Sequence, residues 1–430
     1  SHSQLEAWTI LVHECLSSNT RNFHSVHHVF EICAACDPVQ LLAAAFRDTV
    51  NLRTDDHANV LIKRENLRGI LDDTLEVLNE PGPDDTTLQL VIDLFDVKAG
   101  QNIASWRGLN MFLSAILFVR TFESTLSLKV LAQVVTAIEA TIPFRRVDEQ
   151  GLSALDHLYY RLSQVNSHYK LELSESERIQ AVQHAADLAN RNLGNFASSD
   201  ATIFLDHTWS LLPEQSAALR QSFLYTVHDF LYATKEMTDF LGNLTPSIIF
   251  QSFRGVPSAE EMDSFSSQTE ENLRKGLIYL HANLVGVAVL ASFCVLTGGD
   301  GPMSYFAGDL PTPNHTTYRL AEGFCDNHME DDSGLDYDED VYEILVQGRS
   351  VDQSFDTRNS PLAAYVYCRL GDIGLQSAVK LVTYPVTEGS AATFLKSLPK
   401  EMVTKIGTEI GELAISRAQR IEEWMSEELK

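Results

Sequence analysis

Apolar residues recur at helical spacing along nearly the whole chain, and this periodicity constrains the fold more than any other feature. Ser174 and Glu177 form a capping-box pattern, which predicts a helix start at that point. Pro213 suits the first position of another helix. We therefore predict an all-α protein, with amphipathic or buried helices over 4–18, 25–36, 38–50, 66–79, 86–96, 108–121, 127–140, 360–384 and 397–428.

The length of 430 residues exceeds one comfortable core and suggests two or three domains or one large helical body. We divide the chain into a helical domain at 1–215 and a further helical region at 216–430. Within the second part, glycine, proline and acidic residues predict a loop-rich acidic insertion at about 298–360, with a short helix near 338–348. Its clustered aspartates lack the central glycine of an EF-hand loop, so we expect helix N-terminal charge there rather than a calcium site.

Acidic residues outnumber basic ones by 59 to 32, which gives a formal net charge of −27. Binding to a nucleic-acid backbone requires neutralisation of phosphates by lysine and arginine, so we expect no nucleic-acid partner. A small phosphorylated ligand held in one pocket stays open as a partner, because Arg21, Arg145 and Arg146 can supply local positive charge.

The most apolar stretch is 284–297, whose fourteen residues fall short of the ~20 that cross a bilayer. We expect it to be a buried core helix and expect no membrane partner. The first residues lack a charged segment followed by an apolar run, so we expect a cytoplasmic location.

A histidine pattern marks the candidate site. The segment Arg21-Asn22-Phe23-His24-Ser25-Val26-His27-His28-Val29 is followed by Phe46-Arg47-Asp48 on the next predicted helix. Residues four apart share one face of a helix, so His24 and His28 can point together towards Asp48. Converging imidazole and carboxylate groups suit a metal or phosphate site. The alternative is that these histidines are hydrogen-bonded surface or core residues, since histidines on a helix have this role more often than that of a ligand.

This pairing of helices resembles the HD superfamily of metal-dependent phosphohydrolases, and in particular its bacterial branch with a Phe/Tyr-His-x-x-x-His opening. The resemblance covers about the first half of the chain and implies an HD-domain-like helical bundle. It places His28 at a metal ligand, His24 at the contact to the substrate phosphate, and Asp48 at the aspartate of the His-Asp dipeptide.

Two positions depart from the family's pattern. Arg47 stands where the dipeptide has its histidine, and Asn192 stands where the resemblance implies the distal aspartate ligand. A guanidinium is permanently charged and has no lone pair to give a metal, and a neutral amide oxygen is a weaker donor than a carboxylate. We therefore expect Arg47 to replace the ion, paired with Asp48 or another carboxylate. Glu139 is the acidic neighbour that we expect beside Arg47 in the pocket.

Cys33-x-x-Cys36 follows the first histidine helix and raises a zinc or redox hypothesis. A structural zinc site draws four ligands, commonly as two separated pairs, and the chain has no second Cys-x-x-Cys. We expect the two cysteines to be small packing residues in a reducing compartment.

Three functions are compatible with these patterns. The first is a catalytically silent HD-fold protein, a pseudo-phosphohydrolase that needs no cofactor and acts in regulation, ligand binding or assembly, with His24, His28 and Asp48 as vestigial site residues. The second is an active metal-dependent phosphohydrolase or phosphodiesterase that uses a divalent metal, with a lost ligand role taken over by Glu139, Asp187, His27 or His57. The third is a helical scaffold with no ancestral pocket. We favour the first, with a protein partner or a homo-oligomer left open.

Overall fold

The computed structural model describes residues 2–18, 20–34, 36–52, 54, 67, 70, 78–221, 224–310 and 335–429. These residues contain eighteen α-helices and two 3-10 helices, and no strand is found among them. The predicted all-α class is therefore confirmed. The predicted helix at 66–79 lies largely outside the described residues, as do His57 and much of the predicted acidic insertion.

The helices that carry the candidate site all lie in the first half of the chain. They are α1 (His2–Leu16), α2 (Val26–Cys33), α3 (Pro38–Phe46), α4 (Thr86–Phe95), α5 (Leu109–Phe122), α6 (Leu128–Ala140), α7 (Ala154–Tyr169) and α8 (Glu175–Asn192). The later helices are Ala201–Gln215, Val227–Gly242, Pro246–Ile249, Ala259–Thr297, Met303–Ala307, Glu339–Gln347, Pro361–Val379, Glu388–Ser397, Lys400–Leu413 and Ile415–Glu428, with 3-10 helices at Gly194–Ala197 and Ala217–Arg220.

Helix starts in this region follow local capping chemistry. The Ser174 side chain accepts from the N–H of Glu177, whose own side chain returns to the Ser174 backbone, so the predicted capping box is confirmed. Asp37 caps α3 in the same way with Gln40, and Pro38 occupies the first turn, where its missing N–H costs no hydrogen bond. These caps fix where α3 and α8 begin.

The chain divides into two compact units, and each unit is built from two separate stretches of the sequence. Unit 1 contains 1–197 and 244–270, and unit 2 contains 198–243 and 271–430. This division differs from the predicted boundary at 215, because segment 198–243 belongs to unit 2 and segment 244–270 to unit 1. Asn190 bonds the backbone of Gln251 in unit 1, and Trp209 donates to Asp356 in unit 2.

The core of unit 1 surrounds α6, which packs against α3, α4, α5, α7 and α8. Its buried side chains are aliphatic and aromatic, including Val134, Val135, Phe112 and Phe118. Helices α2, α3 and α8 also contact one another in pairs. The polar residues near the C-terminal ends of α3 and α8 are therefore brought close to α2.

The helix Ala259–Thr297 is longer than the 284–297 segment expected from the sequence. It has 39 residues and is long and apolar enough to cross a membrane by length and composition alone. Its most apolar window is 78% buried inside the protein, as in a core helix. Arg417 and Arg420 donate to backbone carbonyls in its last turns, where the helix dipole favours positive charge.

Three expected helices in unit 2 differ from the structure. Pro213 lies in the last turn of Ala201–Gln215 and does not open a new helix, because only one backbone bond is lost so near the helix end. Gly371, at φ 60°, interrupts the 361–379 helix, and a Cβ there would lie 2.9 Å from the Asp336 carbonyl oxygen. The region 397–428 is two helices that join at Ala414.

Candidate functional site

Three helices bring the predicted site residues together. His28 lies in α2, Arg47 caps the C-terminus of α3 with Asp48 next in the chain, and Asn192 is the last residue of α8. All four side chains are buried. His28 and Asn192 are 164 positions apart in sequence, so their approach depends on the packing of α2 against α8.

His24 lies outside α2, contrary to the expected helical pairing with His28. The helix begins at Val26 with Ser25 as its N-cap. The His24 and His28 rings are nevertheless 6.3 Å apart at 90°, and the Phe23 ring lies 4.5 Å from that of His28. Both histidines exert an electrostatic effect on Asp48. The three predicted groups therefore converge, although a turn and not a helix presents His24.

The His28 ring is held from both sides. Its Nε2 lies 3.1 Å from Asn192 Oδ1, within hydrogen-bond distance. Its Nδ1 lies 3.4 Å from a Glu31 carboxylate oxygen. These two contacts orient the ring between α8 and Glu31.

Asp48 is surrounded by positive groups. Burial alone would raise the pKa of Asp48, but the charge of Arg47, with smaller effects from His24, His28 and Arg21, lowers it below its usual value. Arg47 forms an ion pair with the carboxylate through Nη2. The Arg21 guanidinium donates to the backbone oxygens of Asp48 and Thr49. The carboxylate is therefore held ionised in a site that carries more positive than negative charge.

Arg47 is 1% exposed, yet none of its three side-chain nitrogens has a hydrogen-bond partner among the described residues. Its close approach to Asp48 lacks hydrogen-bond geometry, and the Asp48 Oδ2 atom is likewise without a hydrogen bond. Burial lowers the pKa of Arg47, while Asp48 and Cys33 act in the other direction. Buried donors are rarely left without acceptors, so this guanidinium is suited to a polar group from outside the described chain.

Glu139 is not the acidic neighbour of Arg47, and that expectation is wrong. Arg145 donates to Glu139 Oε1 at 2.7 Å, and Arg161 donates to the same oxygen at 2.5 Å. Arg145 lies in the loop after α6 and Arg161 lies in α7, and both pair with the Glu139 carboxylate. Arg47 therefore has Asp48 as its carboxylate partner among the described residues.

The residues proposed to replace lost metal ligands also lie elsewhere. Asp187 accepts from Gln40 and pairs with Arg191, and the His27 side chain is 83% exposed. No cluster of three or more His, Cys, Asp or Glu side chains that could hold a metal ion occurs in the part of the chain that the structure describes.

Cys33 and Cys36 lie at the edge of this site and are only partly buried. The Cys36 N–H donates to the Cys33 carbonyl oxygen at 3.1 Å, which closes a four-residue turn after α2. Arg191 lies on the other side, with Nη1 bonded to the Ala34 carbonyl oxygen and 3.9 Å from Cys36 Sγ. These cysteines are therefore part of the surroundings of the site and not deep core residues.

No protein-family model matches the chain, and no curated protein or solved structure matches it significantly.

The sequence pointed to His24, His28, Arg47, Asp48 and Asn192, but it did not predict that Arg161 is a partner of Glu139. It also missed a second buried arginine, Arg349 in unit 2. Neither Arg161 nor Arg349 lies in a sequence motif, so their partners are seen only in the folded structure.

Proposed function

We propose that the protein is a catalytically silent relative of the HD phosphohydrolases that binds a small phosphorylated ligand in a regulatory role. The observation that carries this proposal is the convergence of His24, His28, Asp48 and Asn192 with Arg47 beside the carboxylate. A helical scaffold without an ancestral pocket has no reason to collect these groups from α2, α3 and α8. We further propose a cytoplasmic protein that needs no metal cofactor.

Electrostatics supports an anion over a divalent cation at this position. Two guanidinium groups, Arg21 and Arg47, approach Asp48, and a metal ion there would meet net positive charge. Phosphate oxygens only accept hydrogen bonds and match the planar fork of a guanidinium. The Arg47 Nε and Nη1 atoms, which have no hydrogen-bond partner among the described residues, would gain acceptors from such a ligand.

Restoring the family's ligands provides the first test. We expect the double variant Arg47→His and Asn192→Asp to bind Mn²⁺ with at least about tenfold higher affinity than the unchanged protein, because a repelling cation becomes a donor and a carboxylate replaces an amide. Isothermal titration and elemental analysis measure the gain. Adding His28→Ala should abolish it, whereas adding His27→Ala, on the exposed side of α2, should leave it intact. A double variant with no gain in affinity would refute the idea that Arg47 replaces a metal.

Ligand binding and activity provide the second test. We expect inorganic phosphate to bind the unchanged protein, with its affinity reduced at least about tenfold in Arg47→Met, because the charged donors are lost. Arg358→Met, at an exposed arginine in unit 2, is the control and should not change the affinity. Hydrolysis of a phosphate monoester by the unchanged protein with added Mn²⁺ would instead establish the active enzyme.

A further inference from the structure

The geometry at the end of α2 points to a further site, a reversible disulfide between Cys33 and Cys36 that regulates the candidate site around His28. The disulfide itself is independent of the proposed function. Only its effect on ligand binding rests on that function.

A backbone hydrogen bond brings the two cysteines close together. A β-turn brings its first and last Cα atoms within ~7 Å, and disulfides span Cα separations of ~4.4–6.8 Å. The Cys36 N–H closes such a turn on the Cys33 carbonyl oxygen. In addition, Cys36 Sγ lies 3.2 Å from the Ile32 carbonyl oxygen, whose peptide bond leads directly into Cys33. Its sulfur therefore already points back towards the helix end that carries Cys33.

These two cysteines are also the accessible ones. Cys15, Cys294 and Cys368 are buried, whereas Cys33 and Cys36 are partly exposed. Cys325 lies outside the described residues. An oxidant in solution therefore reaches the Cys33–Cys36 pair before the three buried thiols. Both cysteines also pack against the hydrophobic core of unit 1, as the sequence predicts, and the redox role proposed here is additional to that packing.

The reaction is thiol–disulfide exchange with a small-molecule disulfide as oxidant. One protein thiolate attacks the oxidant and releases one small thiolate, and the second protein thiolate then displaces the other. The products are the Cys33–Cys36 disulfide and two small thiols, so the protein loses two electrons and two protons.

The thiol environment sets the direction and pH dependence of this exchange. Burial raises the pKa of both thiols, and each is lowered in part by a nearby arginine, Arg47 for Cys33 and Arg191 for Cys36. Strongly oxidising disulfides owe their reactivity to a stabilised thiolate, which is absent here. The disulfide therefore forms slowly at neutral pH and faster in alkali.

Arg191 and Asn192 couple the turn to the pocket. Arg191 bonds the Ala34 carbonyl oxygen inside the turn, and the next residue of α8, Asn192, bonds the His28 ring. Cys33 also lies close enough to Arg47 to affect its charge equilibrium. Closing the disulfide tightens the turn, so it shifts the Arg191 contact and with it the position of Asn192 against His28.

The full-length protein, incubated with oxidised glutathione, tests the disulfide. Peptide mapping by mass spectrometry should show a Cys33–Cys36 link that forms faster at higher pH and disappears with excess reduced thiol. Cys33→Ser and Cys36→Ser should each abolish the link, and the matched control Cys15→Ala should leave it unchanged. Stable mixed disulfides without the internal link would overturn the proposal.

Coupling is measured on the His28 ring, independently of any ligand. We expect oxidation to shift the His28 imidazole signals in an NMR spectrum of the unchanged protein but not of Cys36→Ser. Signals that stay in place despite a mapped disulfide would overturn the regulatory part. The affinity for inorganic phosphate should change about fivefold or more on oxidation. Absence of phosphate binding in both redox states, with the His28 shift present, would contradict the proposed function and leave the disulfide switch intact.

Discussion

The two most deeply buried arginines among the described residues, Arg47 in unit 1 and Arg349 in unit 2, are held in opposite ways. Both are 1% exposed. Arg47 has one carboxylate partner, its neighbour in the chain, and no side-chain hydrogen bond among the described residues. Arg349 has partners from three segments of unit 2, at 206–209, at 279 and at 356–357.

The Arg349 guanidinium lies between aromatic rings and carboxylates. It is 4.5 Å from the centre of the Trp209 ring and 5.8 Å from that of Tyr279. Its Nε is 3.7 Å from Asp206, its Nη2 is 3.8 Å from Asp356, and it donates to the Thr357 carbonyl oxygen at 2.9 Å. The aspartates are themselves bonded, Asp206 by the Ser350 N–H and Asp356 by the Trp209 indole.

This difference separates a structural arginine from one available for recognition. Arg349 is surrounded by acceptors and aromatic faces that compensate for its loss of water, so it joins distant segments of unit 2. Arg47 is equally dehydrated but keeps unpartnered donors. A buried charge with incomplete partners is costly, and such sites persist where a ligand or a function compensates.

The largest expected effect is from Arg349→Ala. Removing the cation leaves the buried Asp206 and the partly buried Asp356 without their counter-charge and removes two cation–π contacts, so we expect a loss of about 3–5 kcal/mol in the free energy of unfolding. Urea unfolding followed by Trp fluorescence and by hydrogen exchange in unit 2 measures it. Arg349→Lys should fall between the unchanged protein and the alanine variant. The exposed Arg358→Ala is the control, and an equal loss in that variant would remove the special status of Arg349.

The second largest loss of stability is expected for Asp48→Asn, which removes the carboxylate that pairs with Arg47. This change leaves the Arg47 charge buried without its pair, and we expect a loss of about 3 kcal/mol near pH 6. The folded-state pKa of Asp48 is lowered, so its contribution is present above the unfolded value of about 3.9 and is lost as the pH falls through the folded value. The difference between the two proteins should therefore shrink between pH 5 and pH 3. Urea unfolding across this range checks the sign, and a difference that grows in acid would contradict it.

Much of the fold could be predicted because its causes are local. Helical periodicity and the Ser174 capping box depend on residues within a few positions of one another, and both are confirmed. The domain boundary could not be predicted, because segment 198–215 is held through Asp206 and Trp209 by residues beyond 348. No local pattern records such a distant pairing.

The candidate site was predicted in part for the same reason. A motif identified His24, His28 and Asp48, and the resemblance to a family added Asn192. Asn192 contacts His28 although the two residues are 164 positions apart in the sequence. The pairing of Glu139 with Arg47 was wrong because Arg145 and Arg161 reach that carboxylate first. Their approach depends on the path of the loop after α6 and on the facing side of α7. Membership of the HD superfamily and the silent function stay predictions.

A smaller effect is expected for Arg47→Met, which keeps the side-chain volume but removes the charge. Asp48 retains His24, His28 and Arg21 nearby, and the dehydration of an arginine without hydrogen bonds is relieved, so we expect a loss of about 1–2 kcal/mol. Urea unfolding beside Arg349→Met provides the comparison, and the unit 2 variant should lose at least twice as much stability. Adding Asp48→Asn to Arg47→Met should restore much of the loss. Equal losses for the two methionine variants would mean that both arginines are structural.

The smallest loss of stability is expected for the ion pair of Arg274 with Glu271, which is partly exposed. This pair is the reference against which the buried Arg47–Asp48 pair is compared. Arg274 donates to Glu271 at 2.8 Å, and this bond, opposed by slight burial, lowers the pKa of Glu271 to about 2. Water screens so exposed a pair, so Glu271→Gln should cost only about 0.2–0.5 kcal/mol at low salt and nothing measurable in about 1 M salt. The contribution should be full above about pH 5 and lost as the pH falls towards 2, since the folded pKa is the lower one. Thermal unfolding at two salt concentrations measures it, with the exposed Glu270→Gln as the control. A salt-independent loss as large as that of Asp48→Asn would show that burial does not distinguish the Arg47 pair from a surface pair.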